Sequence, residues 1–463
     1  MKTNLKLERI KTHEGGTAKR ITPEQQLRRS VMSCMLWEKG FYEDGEDVAA
    51  RIANIVPSVD PAAVADIAIE ARNKQYLRHV PLWVAKTMAG LSSHKKFVAS
   101  VLAEIIQRPD ELTEFLSLYW KDGKKPLSAQ IKKGLATAFT KFDKYSMAKY
   151  NKDSAVKLRD VLFLCHAKPK DKAQEYLWKQ LINGELQTPD TWETNLSAGS
   201  DKKETWERLM SEKKLGGMAL LKNLRGMNQV NVDPVLIDQY IESQAFKKVL
   251  PFRFISAAKH APRHEESLGK AMVKSLSGFD KLPGHTVLLV DVSGSMDNPI
   301  SSKSELSRID AACGVAMLLR ESCERVDIFS FSMALRQIPP RHTFSLRDAI
   351  LTSQQHSGTP LGLAVASVYA DKNLHATMAK SQSFGWDRHQ PVDYQCQGLR
   401  PDRLIVITDE QSNDPVPDPI GMGYMINVAS NKNGVGYGPW IHIDGWSEAV
   451  CGYIYELERN DLN

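Results

Sequence analysis

Residues 286–296 read TVLLVDVSGSM, an apolar run from Val287 to Val290 that ends on Asp291 and is followed by Ser293 and Ser295 on either side of Gly294. A short apolar run bounded by a turn reads as a buried strand. A carboxylate at its end, with two hydroxyls at alternate positions beyond it, brings hard oxygen atoms to one point. Working outward, 326–332 (VDIFSFS), 403–409 (RLIVITD), 424–429 (YMINVA) and 440–444 (WIHID) read as further strands. Helical patterns at 306–320, 360–369 and 446–457 lie between or after them. Strands that alternate with helices give a mostly parallel, doubly wound α/β sheet, whose ligands bind beyond the carboxyl ends of the strands.

Two other segments supply oxygens to that end of the sheet. The loop Ser357-Gly358-Thr359-Pro360 offers a threonine, and the strand 403–409 ends on Asp409. Asp291, Ser293, Ser295, Thr359 and Asp409 form an oxygen-only set of low charge, which suits a divalent cation, Mg²⁺ by preference, that keeps some water and one open position. Taken alone, DVSGS is equally readable as a helix cap. A phosphohydrolase of the haloacid dehalogenase type would also begin with a strand-end Asp, but it wants a second Asp two residues on, where this chain has Ser293.

The first 275 residues differ in kind, with 46 Lys+Arg against 33 Asp+Glu, whereas the remainder has 15 against 22. A net +6 therefore conceals a basic part and an acidic part, and a large basic surface favours a polyanion unless it is merely a solvated helical face. From Thr22 onward the basic part reads as successive short helices. Thr22-Pro23-Glu24-Gln25 fits a capping box, Asp60-Pro61 repeats a cap, Pro81 opens another helix, and Phe97, Val98, Val101, Leu102 and Ile105 form a stripe. An all-helical part of this kind is a bundle or a solenoid of degenerate HEAT-like pairs; no strict period decides between them. Gly278, Pro283 and Gly284 place the linker at 275–285, which gives domains 1–275 and 276–463.

The six cysteines stand at no metal-binding spacing, the N-terminus has no signal-peptide pattern, and no apolar stretch reaches bilayer length, so the expected address is cytoplasmic, with no membrane role. Residues 121–170 are the most basic stretch, with 13 Lys+Arg against 4 Asp+Glu. Lys132, Lys133, Lys141, Lys144, Lys149, Lys152, Lys157 and Lys168 are candidate phosphate contacts there, interleaved with Phe139, Phe142, Tyr145 and Tyr150. Helical spacing makes Phe139 and Phe142 core residues rather than stacking platforms, and His166 reads as a buried histidine or a helix C-cap.

Two resemblances sharpen these readings. Asp291, Ser293, Ser295, Thr359 and Asp409 together resemble the metal-ion-dependent adhesion site (MIDAS) of von Willebrand factor A domains. That likeness implies direct ligation by Ser293, Ser295 and Thr359, water-mediated roles for Asp291 and Asp409, and a carboxylate donated by a protein partner. The segments LRRSVMSCMLWEKGFYEDG, KKGLATAFTKFDKY, KLRDVLFLCHAKP, GGMALLKNLRGM and FRFISAAKHAP, in that order, resemble the TROVE module of the Ro ribonucleoproteins, a family that also ends in an A-like domain.

This second resemblance implies a monomeric ring of HEAT-like helix pairs that binds small noncoding Y-like RNAs on its outer face and single-stranded 3′ ends of misfolded RNAs in its hole. Such a protein would be a non-catalytic ribonucleoprotein scaffold in RNA quality control, with a ribonuclease among its possible protein partners. By the same resemblance Lys149 and His166 take the outer-surface RNA contacts, with Lys152, Lys157 and Lys168 beside them. Where relatives often have another basic residue this chain has Asp153. The competing expectation is a Mg²⁺-dependent protein-interaction adaptor with no RNA function. Residues 373–399, polar and carrying Trp386, His389 and Cys396, read as an insertion without an assigned role.

Overall fold

The computed structural model describes residues 10–11, 17–20, 22–32, 45–74, 76–246, 249, 252–275, 281–300, 305–370, 394–429, 435–436, 438–444, 450, 454–455 and 458. Among them are nineteen α-helices and nine strands. The strands in chain order are β1 Ile10–Lys11, β2 Thr17–Arg20, β3 Leu282–Asp291, β4 Cys323–Phe331, β5 Leu335–Gln337, β6 Arg403–Thr408, β7 Met422–Asn427, β8 Val435–Gly436 and β9 Ile441–Asp444. The architecture is mainly helical with an α/β part, as the sequence implies. The chain divides into two compact units, one of Pro23–Trp37 with Gly45–Lys214, the other of Met1–Thr22, Glu38–Asp44 and Leu215–Asn463.

The helical unit follows from its start signals. Asp60 accepts hydrogen bonds from Ala62 N (2.9 Å) and Ala63 N (3.2 Å) at the head of the helix Pro61–Asn73. Ser128, Asp143, Asp171 and Asp201 cap later helices in the same way, supplying acceptors to first-turn N–H groups that have no partner within the helix. The helix expected to open at Pro81 begins two residues earlier, at His79; proline is tolerated in a first turn because its missing N–H is not needed there. Val64, Ile67, Val98, Leu102, Leu135, Phe139, Leu158 and Leu181 belong to one core that runs through these helices. Arg72 crosses that core to Glu111 at 2.7 Å, and Glu111 also accepts from the Gln107 and Arg108 backbone N–H groups.

The second unit is built on a six-stranded sheet of order β5-β4-β3-β6-β7-β9. Every pairing is parallel except that of β5, a three-residue antiparallel edge absent from the sequence reading. Val287 and Leu289 of β3 join Leu361, Ala364, Val365 and Val368 of the helix Leu361–Tyr369 in one core. Strand alternation turns Leu288 and Val290 to the opposite face, on which the buried helix Arg308–Ser322 packs. The helices Gly217–Gln229, Pro234–Ser243, Phe252–His260 and Glu265–Lys274 precede the sheet and belong to its unit. The helix Glu265–Lys274 and β3 flank residues 275–281, while the packing boundary lies upstream, at 214/215.

The N-terminal part is not all-helical: β1 and β2 pair with each other, and β2 pairs with β8, in a small antiparallel sheet. Segments that short carry too little alternation to be read as strands without their distant partner. Most of the expected helix at 446–457 and most of the insertion at 373–399 lie outside the described residues. Cys165, Cys313 and Cys323 are buried thiols. No helix among the described residues is long and apolar enough to cross a membrane.

In the helical unit, a Cβ on Gly134 would stand 2.8 Å from Leu102 Cβ and 2.9 Å from the Ala99 carbonyl oxygen. Ala is the better helix former by roughly 1 kcal/mol, but backbone cannot yield as a side chain does. Gly134→Ala is expected to lose about 1–3 kcal/mol of stability net, read as a lower midpoint in urea unfolding followed by circular dichroism.

Candidate functional site: a buried oxygen cluster and a basic face

The strand order reverses beside β3, because the chain runs from β3 to β4 on one side and returns to β6 on the other. The crevice at such a reversal opens beyond the strand ends. Asp291 closes β3 there, and Asp409 follows the last residue of β6. Both carboxylates are fully buried.

Asp291 Oδ1 accepts from Ser293 N at 2.8 Å and Oδ2 from Thr408 Oγ1 at 2.6 Å, so this carboxylate shapes the turn and ties β3 to β6. Ser293 and Ser295 point together, their hydroxyl oxygens 3.2 Å apart. The loop that carries Thr359 is held against this turn, with Gly294 N–H donating to Ser357 O at 2.7 Å and His356 bonded to Asp297 at 2.7 Å. Thr359 itself is buried. Tyr394 supports the loop from behind through Ser332, whose carbonyl accepts from the tyrosine hydroxyl and whose own hydroxyl donates to Gly358 O at 3.2 Å. All five residues read from the sequence thus lie on three segments at one end of the sheet.

Burial and the neighbouring Asp409 raise the Asp291 pKa, against the hydrogen bonds from Ser293 and Thr408 that lower it. Two like charges in one dry site call for a cation. The chain supplies one that the sequence reading missed: Arg308, only 3% exposed, donates from Nη1 to Asp409 Oδ2 at 3.0 Å and to Ser295 O at 3.2 Å. Its position is set by the Ser307 cap, whose hydroxyl accepts from Asp310 N at 3.3 Å and starts the helix Arg308–Ser322. The Ser-Arg-Ile-Asp run signals that cap. No local pattern says that the guanidinium folds back onto a strand end a hundred residues away. The buried oxygens and the charge they leave to be balanced fit a divalent cation; Ser293, Ser295 and Thr359 would hold it, with Asp291 and Asp409 around them.

The basic stretch lies wholly in the helical unit and is less uniform than its composition. Phe139 and Phe142 are core, as expected. Lys141 Nζ donates to the Ile106 and Ala103 carbonyl oxygens, ending the helix Val98–Ile105, so its charge satisfies backbone. Lys157 pairs with Asp153 at 2.8 Å, one turn apart, which balances one of the candidate cations. Lys133, Lys144, Lys152 and Lys168 are exposed, and Lys132 is half-buried.

Lys149 stands with Nζ 5.9 Å from the ring centroids of both Tyr145 and Tyr150, and Tyr145 is 51% exposed. His166 is the C-cap of the helix Leu158–Cys165, in left-handed backbone conformation with φ 53°, and its residue is exposed rather than buried. Just before it Phe163 presents a 57% exposed ring, and Tyr176 on the next helix a 65% exposed one. The sequence reading named neither, since each occupies a position on an amphipathic helix that is indistinguishable from core without the packing.

Fold and site together define a class. Residues 178–277 match the model of the TROVE domain, which is about a fifth of the chain. Over 93% of this chain and 99% of the other, the fold superposes on the crystal structure of the Deinococcus radiodurans Ro (RSR) protein with a TM-score of 0.56 at 16% identity. The chain thus has the fold of that Ro protein, with a stretch similar to the TROVE domain inside it. Among curated proteins it is similar to mouse (Mus musculus) telomerase protein component 1, 26% identical over 227 residues. That match covers 45% of this chain and 8% of the relative, so the chain corresponds to a small part of that much longer protein.

Removing the guanidinium leaves Asp409 as a buried charge without its counter-ion. Arg308→Ala is expected to cost about 3–5 kcal/mol in thermal unfolding measured in EDTA.

Proposed function

We propose that the chain is a non-catalytic RNA-binding protein that takes small, structured noncoding RNAs and single-stranded 3′ ends on the helical unit. What carries the reading is the face formed by Lys149 between two tyrosine rings, with exposed Lys144, Lys152 and Lys168 and the projecting His166 in the same run of sequence. Cations meet phosphates and exposed aromatics accept unstacked bases, which is the pairing that single-stranded and loop RNA requires. The TROVE match and the Ro-like fold support the same assignment. The Y-like RNAs, the misfolded RNA ends and the ring with a central hole are the form this function takes in the reading. Its role is that of a ribonucleoprotein scaffold.

The oxygen cluster is the second part of the proposal. Ser293, Ser295 and Thr359 hold Mg²⁺ with Asp291 and Asp409 nearby, and the ion supplies an electrophilic point for a carboxylate from a protein partner such as a ribonuclease. Arg308 already occupies one Asp409 oxygen, so the ion has a competitor for that carboxylate.

RNA affinity should be measured by fluorescence anisotropy at several salt concentrations, on a stem-loop with a single-stranded 3′ tail, on the same stem without it, and on duplex DNA. Tail-dependent binding that falls steeply with salt is expected. Lys149→Glu with His166→Ser should weaken it by about tenfold or more, two phosphate-directed positions being altered. Equal, weak binding to all three nucleic acids would move the function to the α/β unit.

Asp291→Ala with Ser293→Ala should abolish any rise in melting temperature caused by Mg²⁺ and leave RNA affinity within about twofold, the altered side chains being remote in sequence and chemistry from the basic face. Loss of RNA binding in the metal variant alone would overturn this division.

A further inference from the structure

Beside Tyr150 the helical unit has a cavity of about 510 Å³ that none of the foregoing assigns. Its walls come from the start of the helix His79–Gly90, from the helix Pro109–Tyr119 and from the segment after Tyr150. Arg78, Arg108, Lys121 and Lys152 face it along with Asp110 and Glu114. The volume suits a drug-sized or nucleotide-sized ligand.

The polar lining is held in place from beneath. Asp110 grips Arg108 with both oxygens, at 3.1 and 2.6 Å, and takes Arg78 Nη2 at 2.6 Å. Arg78 also pairs with Glu114, and fully buried Glu111 lies 3.7 Å from its Nε. Arg108 in turn lies over the Tyr150 ring, 4.3 Å from the centroid. Glu114 Oε2 is buried and accepts no hydrogen bond from the protein, with His79 Nδ1, also on the cavity wall, 3.7 Å from it. Burial raises the Glu114 carboxyl to about 7 despite Arg78, so it is a group whose charged form gains from a donor.

These features ask for one ligand chemistry. The flat Tyr150–Arg108 pair accepts a planar ring, Glu114 Oε2, which His79 Nδ1 approaches only to 3.7 Å, has acceptor capacity left for N–H donors, and Lys121 and Lys152 suit a phosphate. Guanine is the RNA base whose Watson–Crick edge presents two adjacent donors, N1–H and N2–H. The cavity shares Tyr150 with the Lys149 face, so a strand lying on that face can place a nucleotide in it.

We propose that this cavity holds one unpaired guanine nucleotide of a bound RNA, its base on the Tyr150–Arg108 pair, its donor edge at Glu114 and its phosphate at Lys121 and Lys152. The site rests on the RNA-binding reading above and adds to it a preference that a basic face alone would not give.

The test uses the full chain and three stem-loop RNAs that differ only in a short single-stranded 3′ tail of guanosines, of cytidines, or of abasic nucleotides. The wild type should favour the guanosine tail over the cytidine tail by about fivefold or more, in the range of one stacked and hydrogen-bonded base. Glu114→Gln should erase that preference and leave the cytidine tail bound within about twofold, whereas Tyr150→Leu should weaken the guanosine tail by about tenfold and Tyr150→Phe should restore it. Circular dichroism of each variant guards against misfolding, and the Phe variant keeps the comparison valid if the Leu variant is unstable. A wild type that binds all three tails equally overturns the cavity proposal while RNA binding stands. Failure to bind any of them overturns the RNA reading itself.

Discussion

Two carboxylates at the ends of parallel strands cannot share a dry crevice as bare charges, and the arrangement around Asp291 and Asp409 is organised by that constraint. Parallel pairing of β3 with β6 brings the strand ends together, and Thr408, one residue from the end, reaches across to Asp291. The remaining charge is met by Arg308, which also accounts for the buried start of the helix that follows Ser307. The cap, the strand pairing and the salt bridge thus depend on one another. A guanidinium neutralises part of the charge that this oxygen cluster carries.

The α/β part was legible because its signals are local. Apolar runs ending at Asp291 and near Asp409 mark strands, and the hydroxyl turn between Ser293 and Ser295 marks the site end of the sheet. What escaped the sequence needed long-range pairing. β5 is three residues held only by its edge position, and β1 and β2 form a sheet with β8 from the far end of the chain. Arg308 belongs with these, because its role is fixed by Asp409, 101 positions away.

On the helical unit the difficulty runs the other way, since charge is easy to count and hard to place. Of the lysines in the basic stretch, Lys141 completes a helix end and Lys157 is matched by Asp153, so neither offers phosphate the charge that composition suggests. Asp153 thereby lowers the charge of the segment that carries Lys152 and Lys157. Exposed rings at Tyr145, Phe163 and Tyr176 supply apolar contact area there, which neutral bases use and phosphates do not.

The balance of charge and flat surface decides what kind of polyanion such a face selects. A dense lysine surface would bind duplex and single strand alike through counter-ion release. Here Arg108 is tied to Asp110, Arg78 to Asp110 and Glu114, and Lys149 lies between two tyrosines, so much of the positive charge is fixed in direction and partly neutralised. Fixed, partly neutralised cations contribute less to indiscriminate attraction and more to ligands whose shape matches them. A duplex keeps its bases stacked on one another and offers the tyrosine rings nothing to contact. An unpaired strand offers bases and phosphates together, and the proposed function rests on that difference.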